Sequence, residues 1–236
     1  MRTDGRKFNE LRQISIEPDV IKHAEGSVLI SMGDTRVMCT ASVEPSVPKW
    51  LVGQRSGWVT AEYGMLPRST HSRIDREKSL SGGRTQEISR LIGRSLRAAV
   101  DLKALGEIQI CVDCDVIQAD GGTRTAAISG GFVAVGIALQ FLKNKGQIST
   151  LPIKNFVSAI SVGLSREGAL LDLNYDEDSS IGTDMNIVMT DKNELVEIQG
   201  TAEGSTFTFS QLSEMMELAQ VGCKKIFSEQ QKVLKI

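Results

Sequence analysis

One stretch organises the sequence, Ala119-Asp-Gly-Gly-Thr-Arg-Thr125, because it lies between a strand pattern and a helix pattern. Residues 111–119 read as a strand. Five apolar residues then recur at helical spacing: Ile128, Phe132, Val135, Leu139 and Leu142. Glycines suit the join, because they accept a positive φ and carry no Cβ to block a ligand. The sequence therefore predicts a strand, a tight turn and a buried helix.

The chemistry of this turn suits a phosphate group. The first amides of a helix have no partner within the helix, and the helix dipole favours an anion there. Thr123 and Thr125 add hydroxyls, and Arg124 adds a planar cationic fork that matches phosphate oxygens. An ordinary glycine-rich turn with a solvated arginine has the same composition, so the turn by itself leaves both interpretations open.

The composition defines the class of protein. A chain of 236 residues can form one large domain or two small ones with a real core. Its net charge of −2 argues against coating nucleic acid by bulk charge, so such binding needs a local basic patch. We find no run of eighteen apolar residues and no apolar signal segment, and we expect a cytoplasmic protein that makes no use of a membrane.

The cysteines favour buried thiols over a metal site. Cys111 and Cys114 are three residues apart in a predicted strand, so they face opposite sides of it. No second cysteine or histidine pair accompanies them, which argues against zinc. We expect all four, including Cys39 and Cys223, to be buried in a reducing compartment.

The periodicity predicts an α+β fold with mostly antiparallel sheets packed on buried helices. Residues 2–12 carry four basic side chains and are expected to form a basic arm before the fold. Strands 14–18, 27–32 and 36–43 form a meander, and 58–65 is a strand or an extended surface segment. Further strands are predicted at 107–119, 156–164, 169–173, 183–190 and 194–200, and helices after Gly82, after Gly122 and at 210–230 with a cap near Ser210.

The two halves of the chain resemble each other. Gly82-Gly-Arg-Thr85 and Gly121-Gly-Thr-Arg-Thr125 each begin a helix after several strands. This predicts a duplicated βα unit, with halves at about 13–103 and 104–230. A pseudo-twofold relation between the halves would bring Arg84 and Arg124 to one site.

A basic, hydroxyl-rich loop follows the strand at 58–65. Arg68, His71, Arg73 and Arg76 lie within residues 66–76. A solvated surface loop and a site for a phosphodiester backbone fit this composition equally well.

An acidic cluster spans residues 172–184. Five carboxylates occupy these thirteen positions. A solvated loop between hairpins is one interpretation. The other interpretation is a functional site, and it is stronger for Asp178 and Asp184, because Asp184 leads directly into an apolar strand. Carboxylates at strand ends can hold Mg²⁺ or protonate a leaving oxygen.

These motifs together resemble the ribonuclease PH family, the phosphate-dependent 3′-to-5′ exoribonucleases that trim tRNA 3′ ends. The resemblance runs from Asp4-Gly-Arg6 almost to the C-terminus. It is carried by His23-Ala-Glu-Gly-Ser27, Gly33-Asp-Thr35, Cys39-Thr-Ala-Ser42, Gly57-Trp-Val-Thr-Ala-Glu-Tyr-Gly-Met-Leu-Pro-Arg-Ser-Thr-His71, Gly82-Gly-Arg-Thr85, Arg94-Ser-Leu-Arg-Ala-Ala-Val-Asp101, Asp113-Cys-Asp115, Gln118-Ala-Asp-Gly-Gly-Thr-Arg-Thr125, Glu177-Asp178, Thr183-Asp-Met-Asn186 and Gln199-Gly-Thr-Ala-Glu-Gly204. It departs from the family at residues 75–81, a segment shorter than in relatives.

The resemblance implies a structure: one domain over residues 1–236, made of two duplicated halves of the ribosomal protein S5 domain 2-like type, in a homohexameric ring built as a trimer of dimers. It also implies a site. Phosphate binds at Arg84, Gly122, Thr123 and Arg124, and the RNA strand passes Arg68, Arg73 and Arg76. The catalytic residues are then Asp178, Asp184, Arg84 and Arg124, with Mg²⁺ as cofactor at the two aspartates.

The implied reaction is the phosphorolysis of RNA 3′ ends, chiefly of tRNA precursors, to nucleoside diphosphates, together with its reversal as nucleotidyl transfer. Two alternatives belong to other classes. One is a non-catalytic ring subunit that only binds RNA, which the presence of both arginines and both aspartates disfavours. The other is a metal-dependent hydrolytic nuclease that would release monophosphates.

Overall fold

The computed structural model describes residues 2, 4–76, 82–204 and 206–236. Residues 77–81, where the departure from the family falls, lie outside the described residues. In chain order the elements are β1 (Ile14–Pro18), β2 (Gly26–Met32), β3 (Thr35–Glu44), β4 (Trp58–Met65), α1 (Gly83–Ala99), α2 (Leu102–Leu105), β5 (Gln109–Gln118), α3 (Thr123–Asn144), β6 (Val157–Ser165), β7 (Gly168–Leu171), α4 (Tyr175–Ser180), β8 (Thr183–Thr190), β9 (Leu195–Ala202) and α5 (Phe209–Leu234).

The strands form two sheets, as the α+β prediction requires. A five-stranded sheet has the order β1-β2-β3-β5-β4, and a four-stranded sheet has the order β7-β6-β8-β9. The meander β1-β2-β3 is confirmed, and Trp58–Met65 is a strand that pairs in parallel with β5. The other pairings in both sheets are antiparallel.

The sheets do not divide where we expected the halves to divide. Strand β5 lies beyond residue 104, yet it pairs with β3, with Cys39 opposite Cys114, and with β4 on its other side. Strand β5 therefore belongs to the first sheet, where its backbone groups find hydrogen-bond partners on both edges. The second sheet begins only at Val157.

Helix α3 forms the centre of the molecule. It packs against β2, β3 and β5 of the first sheet and β6 of the second. Small residues allow the close approach: a Cβ on Gly130 would lie 2.7 Å from Ile30 Cγ2, and one on Gly26 would lie 2.0 Å from Ala134 O. By length and composition α3 could also cross a membrane. However, 83% of its most apolar stretch is buried inside the protein, which is typical of a core helix.

Three local expectations are wrong. The N-terminal segment is not a free arm, since Arg2 and Arg12 are buried against the fold. Helix α5 is capped by Thr208, which forms a reciprocal capping box with Gln211, instead of by Ser210. Cys111 is only partly buried, because it lies on the outer face of β5, whereas the other three cysteines are buried.

Candidate active site

The residues predicted for phosphate binding and catalysis meet in one cavity of about 560 Å³, whereas the three arginines predicted to bind RNA do not line it. The turn between β5 and α3, the first turn of α1, α4 and β8 contribute to its lining. The predicted residues that line it are Arg84, Gly122, Thr123, Arg124, Asp178 and Asp184. A larger polar cleft of about 900 Å³ is lined by Arg12 and Asp120 among others, but by neither arginine and neither aspartate of this set.

The turn has the backbone that its glycines predict. Gly121 and Gly122 have φ values of +73° and +64°. A Cβ on Gly121 would lie 2.5 Å from the carbonyl oxygen of Leu173, so this position also needs the space. Gly122 caps α3 without a side-chain hydrogen bond, which leaves the first amides of the helix to a ligand.

The two threonines of the turn have different roles. Thr123 lines the cavity, and its Oγ1 lies 2.8 Å from the phenol oxygen of Tyr63. Thr125 is buried and donates to the carbonyl oxygen of Gly122 at 2.8 Å. Of the two threonines expected to offer a hydroxyl to phosphate, Thr123 lines the cavity and Thr125 does not.

Two arginines from different helices give the cavity its positive charge. Arg84 lies in the first turn of α1 and Arg124 in the first turn of α3. The guanidinium of Arg124 donates to Gln199 Oε1 at 2.9 Å and lies 3.5 Å from Glu87 Oε1. These contacts orient Arg124 towards β9 and α1 at the cavity wall.

The two aspartates are coupled electrostatically. Burial raises the pKa of Asp178, the neighbouring Asp184 carboxylate raises it further, and Arg84 and Arg124 act in the opposite direction. Asp184 lies on β8 opposite Gly163 and Thr201, and its Oδ1 accepts a hydrogen bond from Thr201 Oγ1 at 3.1 Å. A carboxyl group with a raised pKa can retain a proton for transfer to a leaving oxygen.

The acidic cluster is not a solvated loop. Its middle forms α4, which begins with a capping box between Asn174 and Glu177. Glu177 also makes a buried ion pair with Arg2 at 2.6 Å, and fully buried Asp172 binds Arg12 at 2.6 Å. Neither pair could be predicted from the sequence, because the members of each pair lie 175 and 160 residues apart.

The basic loop borders the cavity through its polar residues. Thr70, His71 and Ser72 line the cavity, and the His71 ring lies 5.5 Å from that of Tyr175. The three arginines assigned to RNA are exposed on this loop, at positions Arg68, Arg73 and Arg76. Arg68 donates to the carbonyl oxygen of His71 at 2.9 Å.

Known proteins share both the sequence and the fold of this chain. Residues 10–139 match domain 1 of the 3′ exoribonuclease family, and residues 155–222 match domain 2. The chain resembles the crystal structure of rice Rrp46, with a TM-score of 0.80 and 20% identity, over 99% of this chain and 100% of that one. It also resembles a chain of an Archaeoglobus fulgidus exosome with RNA bound to the active site, with a TM-score of 0.77 and 23% identity, over 97% and 91% of the two chains.

These structural similarities support the fold, and the sequence matches define the class: a 3′ exoribonuclease. Ribonuclease PH of Bdellovibrio bacteriovorus is 62% identical over 234 residues, which cover 99% of this chain and 96% of that protein. The chain therefore belongs to the ribonuclease PH family. It is a phosphorolytic 3′ exoribonuclease that processes tRNA, with tRNA nucleotidyltransferase activity.

Proposed function

We propose that Arg84, Arg124, Thr123 and the amides after Gly122 bind the orthophosphate that attacks the RNA. The observation that carries this is the convergence of both arginines and the uncapped start of α3 on one cavity. Two unit charges of one sign repel by about 4 kcal/mol at 4 Å in an effective dielectric of 20. Fixed cations and helix amides offset this repulsion between phosphate and the phosphodiester, and they align the attack.

The reaction has a simple balance of bonds. A phosphate oxygen attacks the phosphorus of the last phosphodiester, and the bond from that phosphorus to the 3′ oxygen of the preceding nucleotide breaks. The last nucleotide leaves as a nucleoside diphosphate, and the RNA is one residue shorter. We assign Asp178 to the proton that the departing 3′ oxygen needs, because the raised pKa of this carboxyl favours its protonated form.

As the alternative to proton transfer by Asp178, we propose that Asp178 and Asp184 together hold Mg²⁺, because a carboxyl group that binds the ion is ionised and carries no proton. The residues fit this ion, since two carboxylates that repel each other line the same cavity, and Mg²⁺ in phosphoryl-transfer sites takes one or two carboxylates together with substrate phosphates. When bound, the ion supplies charge neutralisation at the reacting phosphoryl oxygens. Mg²⁺ should raise the melting temperature of the wild-type protein, and Asp184→Asn should remove most of this increase.

A labelling experiment tests the phosphate assignment. With ³²P-orthophosphate and a tRNA that carries a 3′ extension, the label should appear in the β-phosphate of the released diphosphates. Arg84→Ala should release no labelled diphosphate at low phosphate concentrations, while still binding the RNA. Labelled product at the wild-type rate from Arg84→Ala would refute the assignment of Arg84. Monophosphates formed without phosphate would instead support a hydrolytic site.

We propose that six copies form a ring as a trimer of dimers, with each copy composed of two duplicated halves of the ribosomal protein S5 domain 2-like type. The likeness to exosome chains supports a ring. Exposed apolar side chains, such as Phe209 at 91% exposure and Trp50 at 58%, offer contact surface. Sedimentation should give six times the chain mass of 25.7 kDa; a monomer mass at micromolar concentration would contradict the ring.

We also propose that the enzyme acts in the cytoplasm, on RNA 3′ ends. The support is the family membership, together with cysteines that make no disulfide among the described residues. Cell fractionation with an antibody to the protein is the test: it should recover the protein in the supernatant after membranes are pelleted. Recovery in the membrane pellet would overturn the proposal.

A further inference from the structure

Tyr63 lies directly behind the phosphate-binding turn. It is on β4, opposite Cys114 of β5, and only 4% of its surface is exposed. Its phenol oxygen is 2.8 Å from Thr123 Oγ1. Thr123 lines the cavity, whereas Tyr63 is not part of the lining. The phenol therefore reaches the site only through the threonine hydroxyl.

Burial decides the direction of this hydrogen bond. A buried phenol needs an acceptor for its proton. Within the described part of the chain, Thr123 Oγ1 is the one hydrogen-bond partner found for the Tyr63 hydroxyl. Burial also raises the pKa of Tyr63, although the hydrogen bond with Thr123 and the charges of Arg84 and Arg124 act in the opposite direction, so the phenol keeps its proton at neutral pH. Tyr63 is thus the donor and Thr123 the acceptor.

Because Tyr63 donates, the Thr123 hydroxyl keeps its own proton for another acceptor. A threonine hydroxyl has one proton and two lone pairs. When one lone pair accepts from Tyr63, the hydroxyl proton is free to point into the cavity, towards the arginines and the uncapped amides of α3. Thr123 then presents a hydrogen-bond donor, like the guanidinium groups and the amides. A phosphate dianion offers mainly acceptor oxygens, so a set of donors is complementary to it.

We propose that Tyr63 is a positioning residue for phosphate: it holds the Thr123 hydroxyl in the orientation that donates to the attacking phosphate. This inference rests on the proposed role of Thr123 in phosphate binding. Tyr63 itself touches neither phosphate nor RNA. Its contribution therefore concerns the affinity for phosphate and leaves the binding of RNA unchanged.

Tyr63→Phe tests this, because it removes one oxygen and keeps the ring in the core. The KM for phosphate should rise about two- to tenfold, the effect of one neutral hydrogen bond. The KM for RNA and kcat at saturating phosphate should stay near the wild-type values. Ser129→Ala is a matched control, since it removes a buried α3 hydroxyl that accepts from Ala159 N at 3.1 Å, away from the cavity. It should lower stability without changing the KM for phosphate.

A double-mutant cycle separates positioning from a general packing effect. Thr123→Val should raise the KM for phosphate, and Tyr63→Phe in that background should add no further increase. An unchanged KM in Tyr63→Phe, or the same increase with and without the Thr123 hydroxyl, would overturn the inference. If Thr123→Val leaves the KM for phosphate unchanged, the proposed role of Thr123 is wrong and the inference falls with it.

Discussion

The guanidinium of Arg12 joins the carboxylate of Asp172 to the glycine turn at Gly121 and Gly122. Its Nη2 lies 2.6 Å from Asp172 Oδ1, and the same group donates to the carbonyl oxygens of Asp120 and Gly121. Asp172 is fully buried, has a φ of +55° and leads into α4, which carries Asp178. One buried side chain thus links the turn before α3, where we propose that phosphate binds, to the segment that leads to Asp178.

Arg12→Met should therefore destabilise the protein and reduce its activity. Removal of one partner of a buried ion pair typically costs about 3–5 kcal/mol, and we expect about 3 kcal/mol because Arg6 remains 3.6 Å from Asp172. Urea unfolding measures this. Arg94→Met is the matched control, since its ion pair with Glu197 involves an exposed arginine and should be worth about 0–1 kcal/mol. Equal losses in both variants would contradict the structural role of Arg12.

Arg124→Ala should abolish phosphorolysis and leave RNA binding largely intact. We expect a loss of at least about a hundredfold in kcat/KM for phosphate, as when a fixed charge-stabilising donor is removed. Gln199→Ala keeps the Arg124 guanidinium and removes its 2.9 Å partner, together with the hydrogen bonds from Gln199 to Glu87 and Glu197, so the loss of activity should be much smaller. Phosphate titrations and RNA affinity are the measurements. Unchanged turnover of Arg124→Ala at low phosphate would refute the role of Arg124.

Asp178→Asn should stabilise the protein at neutral pH in the absence of divalent cations. The pKa of Asp178 is raised above the ordinary value of 3.8, so the folded state binds its proton more tightly than the unfolded state. The carboxyl therefore contributes stability below pH 3.8, and this contribution is lost as the pH rises through its folded-state pKa. Urea unfolding at pH 7 and near pH 4 should show a larger gain for Asp178→Asn at pH 7. A larger gain at the acidic pH would contradict the direction of the shift.

Substitutions in the basic loop should affect RNA affinity and its dependence on salt. Alanine at Arg68, Arg73 or Arg76 should weaken tRNA binding, and each should reduce the slope of log K against log salt by about 1. Arg166→Ala, on the exposed turn between β6 and β7, is the control and should change neither. A triple variant that retains full tRNA affinity would exclude the loop as an RNA contact.

Gly121→Ala should lower the stability of the fold by more than the strain of a positive φ alone. Gly121 and Gly146 have similar φ values, +73° and +70°, so alanine at either is strained by about 1–2 kcal/mol. A Cβ at Gly146 would meet nothing within 4 Å, whereas one at Gly121 would lie 2.5 Å from Leu173 O. Thermal unfolding should show the larger loss for Gly121→Ala, and phosphorolysis should fall only there. Equal losses of stability in the two variants would contradict the close packing of Gly121, because the turn would then be able to move away from Leu173 without an energetic cost.

The elements themselves could be predicted from the sequence, because strand alternation, helical spacing and glycine turns are recorded locally. The hairpins, the long helix after Gly122 and the positive φ values at Gly121 and Gly122 belong to this group. The candidate residues beside these turns could be selected for the same reason, since Arg84 and Arg124 are each the second residue of a helix. The meeting of these two arginines was expected from the suspected duplication and from the family resemblance, because no local pattern in the sequence records it.

The partners of buried polar groups could not be predicted in this way. The sequence predicted that Arg2 and Arg12 belong to a basic arm before the fold. Both are instead paired with carboxylates that are 175 and 160 residues away in the sequence. From the sequence, Tyr63 was only one residue of a predicted strand. Its contact with Thr123 depends on the parallel pairing of β4 with β5.

By itself, then, the sequence determined the local backbone, the burial pattern and the residue types of the site. The tertiary structure alone decided which charge faces which, because ion pairs and hydrogen bonds between distant segments depend on where the whole chain brings them and leave no periodic trace in the sequence.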